Sequence, residues 1–224
     1  MKYLIRIAAT VLLTAIGSQQ VMAIEEAQYD VIQKESDFEI RDYAPHILAE
    51  TFVTGAMEDA GSTAFGRLFD YISGNNQSRK EVTMTAPVSQ QPAGEKIKMT
   101  APVGQQPESE GWVVSFMMPS EFTMETLPVP IDSKVTLREV PPRRMAAIRY
   151  SGFWSESSYL EHKAELEQWI QDTGLTITGE PVWARYNAPF TPWFMRRNEI
   201  LIPVSEAGKA AAISDYLNAA NRMP

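Results

Sequence analysis

Phe38-Glu39-Ile40-Arg41-Asp42-Tyr43-Ala44-Pro45 and Val135-Thr136-Leu137-Arg138-Glu139-Val140-Pro141-Pro142 are two copies of one phrase, set 97 residues apart. The match continues without a gap, with residues 46–55 aligning on residues 143–152 and each copy ending in glycine. Each copy reads as a strand, a proline-marked turn, a second strand and a glycine break. A helical pattern follows both times. Residues 58–73 carry Phe65, Leu68, Phe69 and Ile72 at a 3.6-residue period and stop at Gly74. Residues 155–172 begin with Ser155 as an N-cap, bury Tyr159, Leu166, Trp169 and Ile170, and stop at Gly174. Further strands are expected over residues 112–118 in the first half, and over 182–187 and 199–204 in the second.

The fold class is therefore α+β. Two ββαββ-type halves, about residues 29–118 and 133–204, are expected to pack about a pseudo-twofold axis. Their strands form one curved, mostly antiparallel sheet or distorted β-barrel, with two flanking helices. The proline-rich stretch 124–132 links the halves. Residues 24–204 make a single domain, and residues 205–224 read as an alanine-rich helical tail.

A shorter echo lies inside the first half. Val82-Thr83-Met84-Thr85-Ala86-Pro87-Val88 returns fifteen residues later as Ile97-Lys98-Met99-Thr100-Ala101-Pro102-Val103. Alternation puts Met84 and Met99 on the apolar face of a local hairpin, which makes both ligand-face candidates.

Residues 1–23 read as a secretory signal: Lys2 and Arg6 precede an apolar run too short to span a bilayer, and Val21-Met22-Ala23 supplies the cleavage site. Cleavage after Ala23 directs the chain to the periplasm or medium and removes two basic residues. The remainder has 18 basic and 28 acidic residues, a net charge of −10. That balance argues against nucleic acid and anionic membrane surfaces as partners. No later segment is apolar enough for stable membrane insertion. The chain has no cysteine, which excludes disulfides and thiolate chemistry.

Catalytic signatures are missing from the sequence: no nucleophile elbow, no phosphate-binding glycine loop, no zinc-type His-Glu-x-x-His. With only two histidines, a triad or multi-histidine metal site has few parts to use. His162 reads as a helix-flank residue, and His46, at the turn between the first two strands, as an exposed one. Glu180 ahead of Pro181 is a candidate cavity carboxylate. Residues 186–200 hold Phe190, Trp193, Phe194 and Met195 on a proline-stiffened loop, followed by Arg196 and Arg197. An apolar lid beside guanidinium groups suits a planar ligand with carboxylate arms. The structural reading of the two arginines, in which one pairs with Glu199, is the stronger.

The Met-Thr-Ala-Pro-Val phrase, the Tyr186-Asn187-Ala188-Pro189 loop and the Arg196-Arg197-Asn198-Glu199-Ile200 ending together resemble the SOUL haem-binding protein family. The resemblance runs from about Tyr29 to Val204. It implies the two-repeat distorted barrel, and non-enzymatic binding of haem or another tetrapyrrole in an apolar pocket beside the first helix. By position, it assigns Phe65, Leu68, Phe69 and Ile72 to the helix wall, and Phe190, Trp193, Phe194 and Met195 to the loop wall; Arg67 stands at a basic position of the family's first helix, whereas Asp70 takes the next such position, and Arg196 and Arg197 join the candidate set from the reading of the loop. Under this reading haem is a ligand rather than a catalytic cofactor, and His46 is the candidate axial ligand; no other metal site is implied. A second resemblance, over residues 179–186, is to gyrase-inhibitor-like effector-binding domains. It implies a general small-molecule binder, for which a buried Glu180 would be the distinguishing feature.

Overall fold

The computed structural model describes residues 24–79 and 94–206. The expected signal segment, Met84 with the first copy of the short phrase, and most of the expected C-terminal helix lie outside the described residues. In chain order the elements are β1 (Tyr29–Glu35), β2 (Phe38–Tyr43), β3 (His46–Thr54), α1 (Met57–Ile72), β4 (Asn76–Gln77), β5 (Val103–Glu108) and β6 (Gly111–Met117). They continue with β7 (Val129–Pro130), β8 (Thr136–Val140), β9 (Arg143–Tyr150), α2 (Glu156–Asp172), β10 (Leu175–Ile177), β11 (Val182–Arg185) and β12 (Asn198–Glu206). A short 3₁₀ turn at Trp193–Met195 interrupts the loop before β12.

The sheet runs β1-β2-β9-β12-β11-β5-β6-β3-β8, with β10 on the far end of β12, and every pair is antiparallel. Apart from β1 and β10, this order is a palindrome of the duplication. In one half β9 joins β2 and β12; in the other, β3 joins β8 and β6. The axis passes between β5 and β11. Consecutive strands β2 and β3 do not pair with each other. Each half instead sends its first strand to the outer flank of the other half's second strand. The result is an open half-barrel with β1 and β8 at its edges.

The two glycines that close the repeated phrase have a common cause. Gly55 and Gly152 sit at φ +115° and +141°, where a side chain would be strained, and turn the chain from strand into helix. Ser155 caps α2 as expected, its Oγ accepting from Ser158 N at 3.3 Å. The α1 cap, Ala56, offers no side-chain oxygen, and the acidic Glu58 and Asp59 in the first turn face the positive end of the helix dipole instead.

Each helix covers its own part of the convex face. Leu68, Tyr71 and Ile72 of α1 pack with Val114, Phe116 and Leu127. Leu166, Trp169 and Ile170 of α2 pack with Ile148, Ile200 and Trp183. A third cluster, with Tyr43, Met145, Ala184 and Leu201 at its centre, lines the concave face.

The expected methionine hairpin is not seen in the part that is described. Residues 97–102 are not a strand; β5 begins only at Val103. Ile97 and Ala101 are buried while Met99 points outward, so strict alternation fails. The reason is tertiary. Thr100 donates to the Met117 carbonyl and Ala101 N donates to the Glu25 carbonyl, which ties this segment to two different neighbours.

Candidate functional site

The β5–β11 seam presents one side chain upward and the next downward, so alternate residues serve opposite faces. Trp183 pairs with Gln105, and Arg185 with Val103, on the helix side. Above Val103, Trp183 and Arg185 lies a cleft of about 430 Å³. Its walls are Glu58, Gly61, Ser62 and Phe65 of α1 on one side, and Trp154, Asn187 and Pro189 on the other. This is the interface between the first helix and the late loop, and it is not filled.

Arg185 dominates the floor. Its Nη2 donates to Gln105 Oε1 at 3.1 Å, its Nε is buried without a partner, and no carboxylate pairs with it among the described residues. Burial pulls its guanidinium down to about 10, with weak opposition from Tyr150, so it remains a cation at neutral pH. The guanidinium lies over Trp183 at 4.8 Å and faces Trp154 at 5.4 Å. Gly61 makes room for it: a Cβ there would come within 3.1–3.3 Å of Gln105 Oε1 and both Arg185 Nη atoms. Gln105, fully buried, donates to the Met57 carbonyl at 2.7 Å and so fixes the start of α1 over the seam. Glu58 stands exposed at the rim.

The Arg-Arg-Asn-Glu stretch builds the opposite wall and does not enter the cleft. Arg196 lies over Trp154 at 4.3 Å and donates to the Thr191 and Pro189 carbonyls, each at 2.8 Å. Asn198 accepts from Trp154 Nε1 at 2.8 Å, which orients the indole. Arg197 pairs with Glu199 at 3.0 Å and Glu26 at 2.8 Å, which is the structural role the sequence favoured. Glu199 turns to the concave side and joins Arg41.

Of the ligand-binding candidates among the described residues, only Phe65 lines the cleft. Leu68 and Ile72 are buried in the α1 core, and Phe69 stacks on Phe65 at the surface. Arg67 turns the other way, to Thr51 and Asp132. Phe190, Trp193, Phe194 and Met195 face solvent, Phe190 with 89% of its surface exposed, and Trp193 stacks on Phe153. The cleft stripe of α1 is Glu58, Gly61, Ser62 and Phe65, i to i+7 on the flank of the buried face. It carries no apolar period, so hydrophobic patterning passes over it. Arg185 could have been flagged only as a lone basic residue beside a strand tryptophan.

His46 also departs from expectation. It is partly buried and lines the concave groove, on the other face of the sheet from the cleft. Burial lowers its pKa, the hydrogen bond to the Ala44 carbonyl opposes this, and Arg143 and Arg138 lower it further. Glu180, offered as a buried carboxylate, is exposed. His162 is a helix-flank residue stacked on Tyr150. Among the described residues no three His, Asp or Glu side chains gather as a metal site.

The family profile described as "SOUL heme-binding protein" matches residues 24–203. The chain belongs to the SOUL haem-binding protein family. Within that family it is 25% identical to Heme-binding protein 1 of Xenopus tropicalis, over 73% of this chain and 81% of the relative. It is 26% identical to Heme-binding protein 2 of Homo sapiens, over 78% of this chain and 85% of the relative. Among solved structures, the C-terminal domain of EcmrR superposes with a TM-score of 0.52 at 13% identity, over 80% of this chain and 99% of that domain. A hydrolase from Listeria innocua superposes at 0.51 and 14% identity, over 78% and 94%. At such identities the likeness is one of fold alone. The SOUL member described here thus shares its duplicated half-barrel with proteins of other functions.

Proposed function

We propose that this protein is an exported, non-enzymatic binder of haem or a related tetrapyrrole, and that the cleft between α1 and Trp154 is where the macrocycle lies. The observation that carries the reading is Arg185: a buried guanidinium with no ion-pair partner among the described residues, on the floor of a cleft that Phe65, Trp154 and Trp183 border. Phe65, Trp154 and Trp183 would contact the ring, and Arg185 would hold a propionate. The volume falls within the roughly 300–1,000 Å³ typical of ligand pockets. Among the described residues no histidine, methionine or tyrosine lines this cleft, so affinity would come from ring burial and carboxylate pairing rather than an axial iron bond. Covering on the order of 300 Å² of macrocycle contributes about 7 kcal/mol before ordering costs, and pairing of a propionate with Arg185 adds to it. Family membership supports the ligand class, and the basic, apolar and small-residue order of residues 1–23 supports export. With Glu180 exposed, the feature that would have favoured a cation-binding effector module is gone.

Titration of purified protein with haemin and with metal-free protoporphyrin IX tests this. Both should bind with similar affinity and quench tryptophan fluorescence, since Trp154 and Trp183 border the cleft. An unshifted Soret band and unquenched fluorescence at tens of micromolar would refute it.

A further inference from the structure

The concave face holds a second unpaired arginine. Arg143 is the repeat counterpart of His46, and the two stand at the first positions of β9 and β3. Both line a groove whose enclosed space is about 70 Å³, floored by Gly104 and Ala184 on the underside of the β5–β11 seam. Arg143 Nε is shut off from solvent with no hydrogen-bond partner, and no carboxylate pairs with its guanidinium among the described residues. The other charges in the groove are already matched: Arg138 makes a two-pronged contact to Glu50, at 2.7 and 2.6 Å. The Tyr43 hydroxyl accepts from Arg41, and that of Tyr186 donates to Glu199. His46 contributes a neutral imidazole at pH 7 and above, its Nδ1 within 2.9 Å of the Ala44 carbonyl. Gln106 and Ser115 add polar wall, and most of the rest is apolar, with Leu48, Val113, Met117, Met145, Val182 and Leu201.

A chain with 28 acidic residues against 20 basic ones thus leaves one guanidinium unneutralised in a narrow apolar trough. Burying such a group without a counter-ion is costly, and a ligand anion removes the cost. We infer that the concave groove is a second binding site, separate from the tetrapyrrole cleft, for a small amphiphilic carboxylate whose head pairs with Arg143 and whose apolar tail lies along Met117, Met145 and Leu201. Arg143 donates from its fork, and the imidazole of His46 and the hydroxyl of Ser115 border the same space. The enclosed 70 Å³ is less than the roughly 150 Å³ of a cavity that holds a benzene ring, so the carboxylate head and the first carbons enter it and the rest of the tail lies along the open groove.

Octanoate and 2-naphthoate are the probes, read by calorimetry and by amide and methyl shifts in NMR spectra of the intact protein, with octylamine as the cationic control. The expected result is binding of both acids, shifts centred on Met117, Met145 and Leu201, and no binding of the amine. Arg143→Met should weaken the acids at least tenfold, Arg143→Lys should restore part of the loss, and Arg185→Met should leave them unchanged. Equal binding of octylamine, or shifts confined to the α1 cleft, would overturn the assignment. So would acid binding indifferent to Arg143→Met. If Arg143→Met does not fold, the shift map and the amine control on unaltered protein decide the question. Failure of haemin to bind would not touch this result, because the two sites lie on opposite faces of the sheet.

Discussion

Arg41 and Glu199, 158 residues apart in the chain, meet as a two-pronged ion pair, with Nη1–Oε2 at 2.7 Å and Nη2–Oε1 at 3.2 Å. Neither side chain is more than 2% exposed. The same carboxylate accepts from Arg197 Nε at 3.0 Å and from the Tyr186 hydroxyl at 2.9 Å. Burial disfavours a charged Arg41, but the Glu199 carboxylate outweighs it and holds the guanidinium above its ordinary value. Two strands from different halves, β2 and β12, are thereby joined across β9.

Removing that carboxylate leaves two guanidiniums facing one another in low dielectric. Glu199→Gln should cost about 3–5 kcal/mol, visible as a lower urea midpoint. The double change Arg41→Met with Glu199→Leu should cost clearly less than the sum of the two single changes, because no orphan charge remains. An additive result would mean the pair is not coupled.

Arg185→Met separates charge from ring burial in the cleft. Losing a charge-assisted hydrogen bond of about 1.5–3 kcal/mol should weaken protoporphyrin IX roughly 10- to 100-fold. Its dimethyl ester, with no free carboxylate, should bind parent and variant alike. Equal weakening of both ligands would place the effect on shape rather than charge.

Gly61→Ala sets helix propensity against the close approach of Arg185. Alanine favours the helix by about 1 kcal/mol over glycine, and the atoms it meets are the mobile ends of Arg185 and Gln105. Thermal stability should therefore change by less than about 1 kcal/mol in either direction. Porphyrin affinity should nonetheless fall several-fold, since the displaced guanidinium occupies the cleft floor. Unchanged affinity would show that the ligand does not reach this part of α1.

His46 should leave a mark on the acid side of the stability curve. Its folded-state pKa lies below the ordinary 6.5, so the unfolded chain takes up this proton first as pH falls. Stability should therefore drop with falling pH, starting near 6.5 and ending below the folded value. Glu39 and Asp42, held low in the folded state, add their own loss only below about 4.5. Urea midpoints at pH 7.5 and 5.5 should differ less in His46→Gln than in the parent protein.

Ser155→Ala removes the α2 cap and should cost about 1 kcal/mol in a thermal melt. An indistinguishable melt would mean that water replaces the cap at no cost.

The duplication and its elements could be read directly along the chain because their causes are local. Alternation makes β2, β3, β8 and β9; a 3.6-residue period makes α1 and α2; Gly55 and Gly152 mark the positive φ that separates strand from helix. Local pattern carries no information about partner choice between distant strands. The exchange of β2 and β8 between halves, and the palindromic sheet it produces, follow from how two similarly built halves cover each other's apolar faces. The functional residues divide in the same way. Phe65 announced itself by hydrophobic period, whereas Gly61 and Ser62 matter for the space they leave, which is a property of α1 lying on the β5–β11 seam. Eight other arginines and lysines in the described structure reach a carboxylate, while Arg185 and Arg143 do not. Sequence alone determined the repeat, the two helices and the strands β2, β3, β8 and β9. Only the tertiary structure decided which cations would be left for a ligand to neutralise, because pairing depends on strand register and on which face of the sheet each side chain meets.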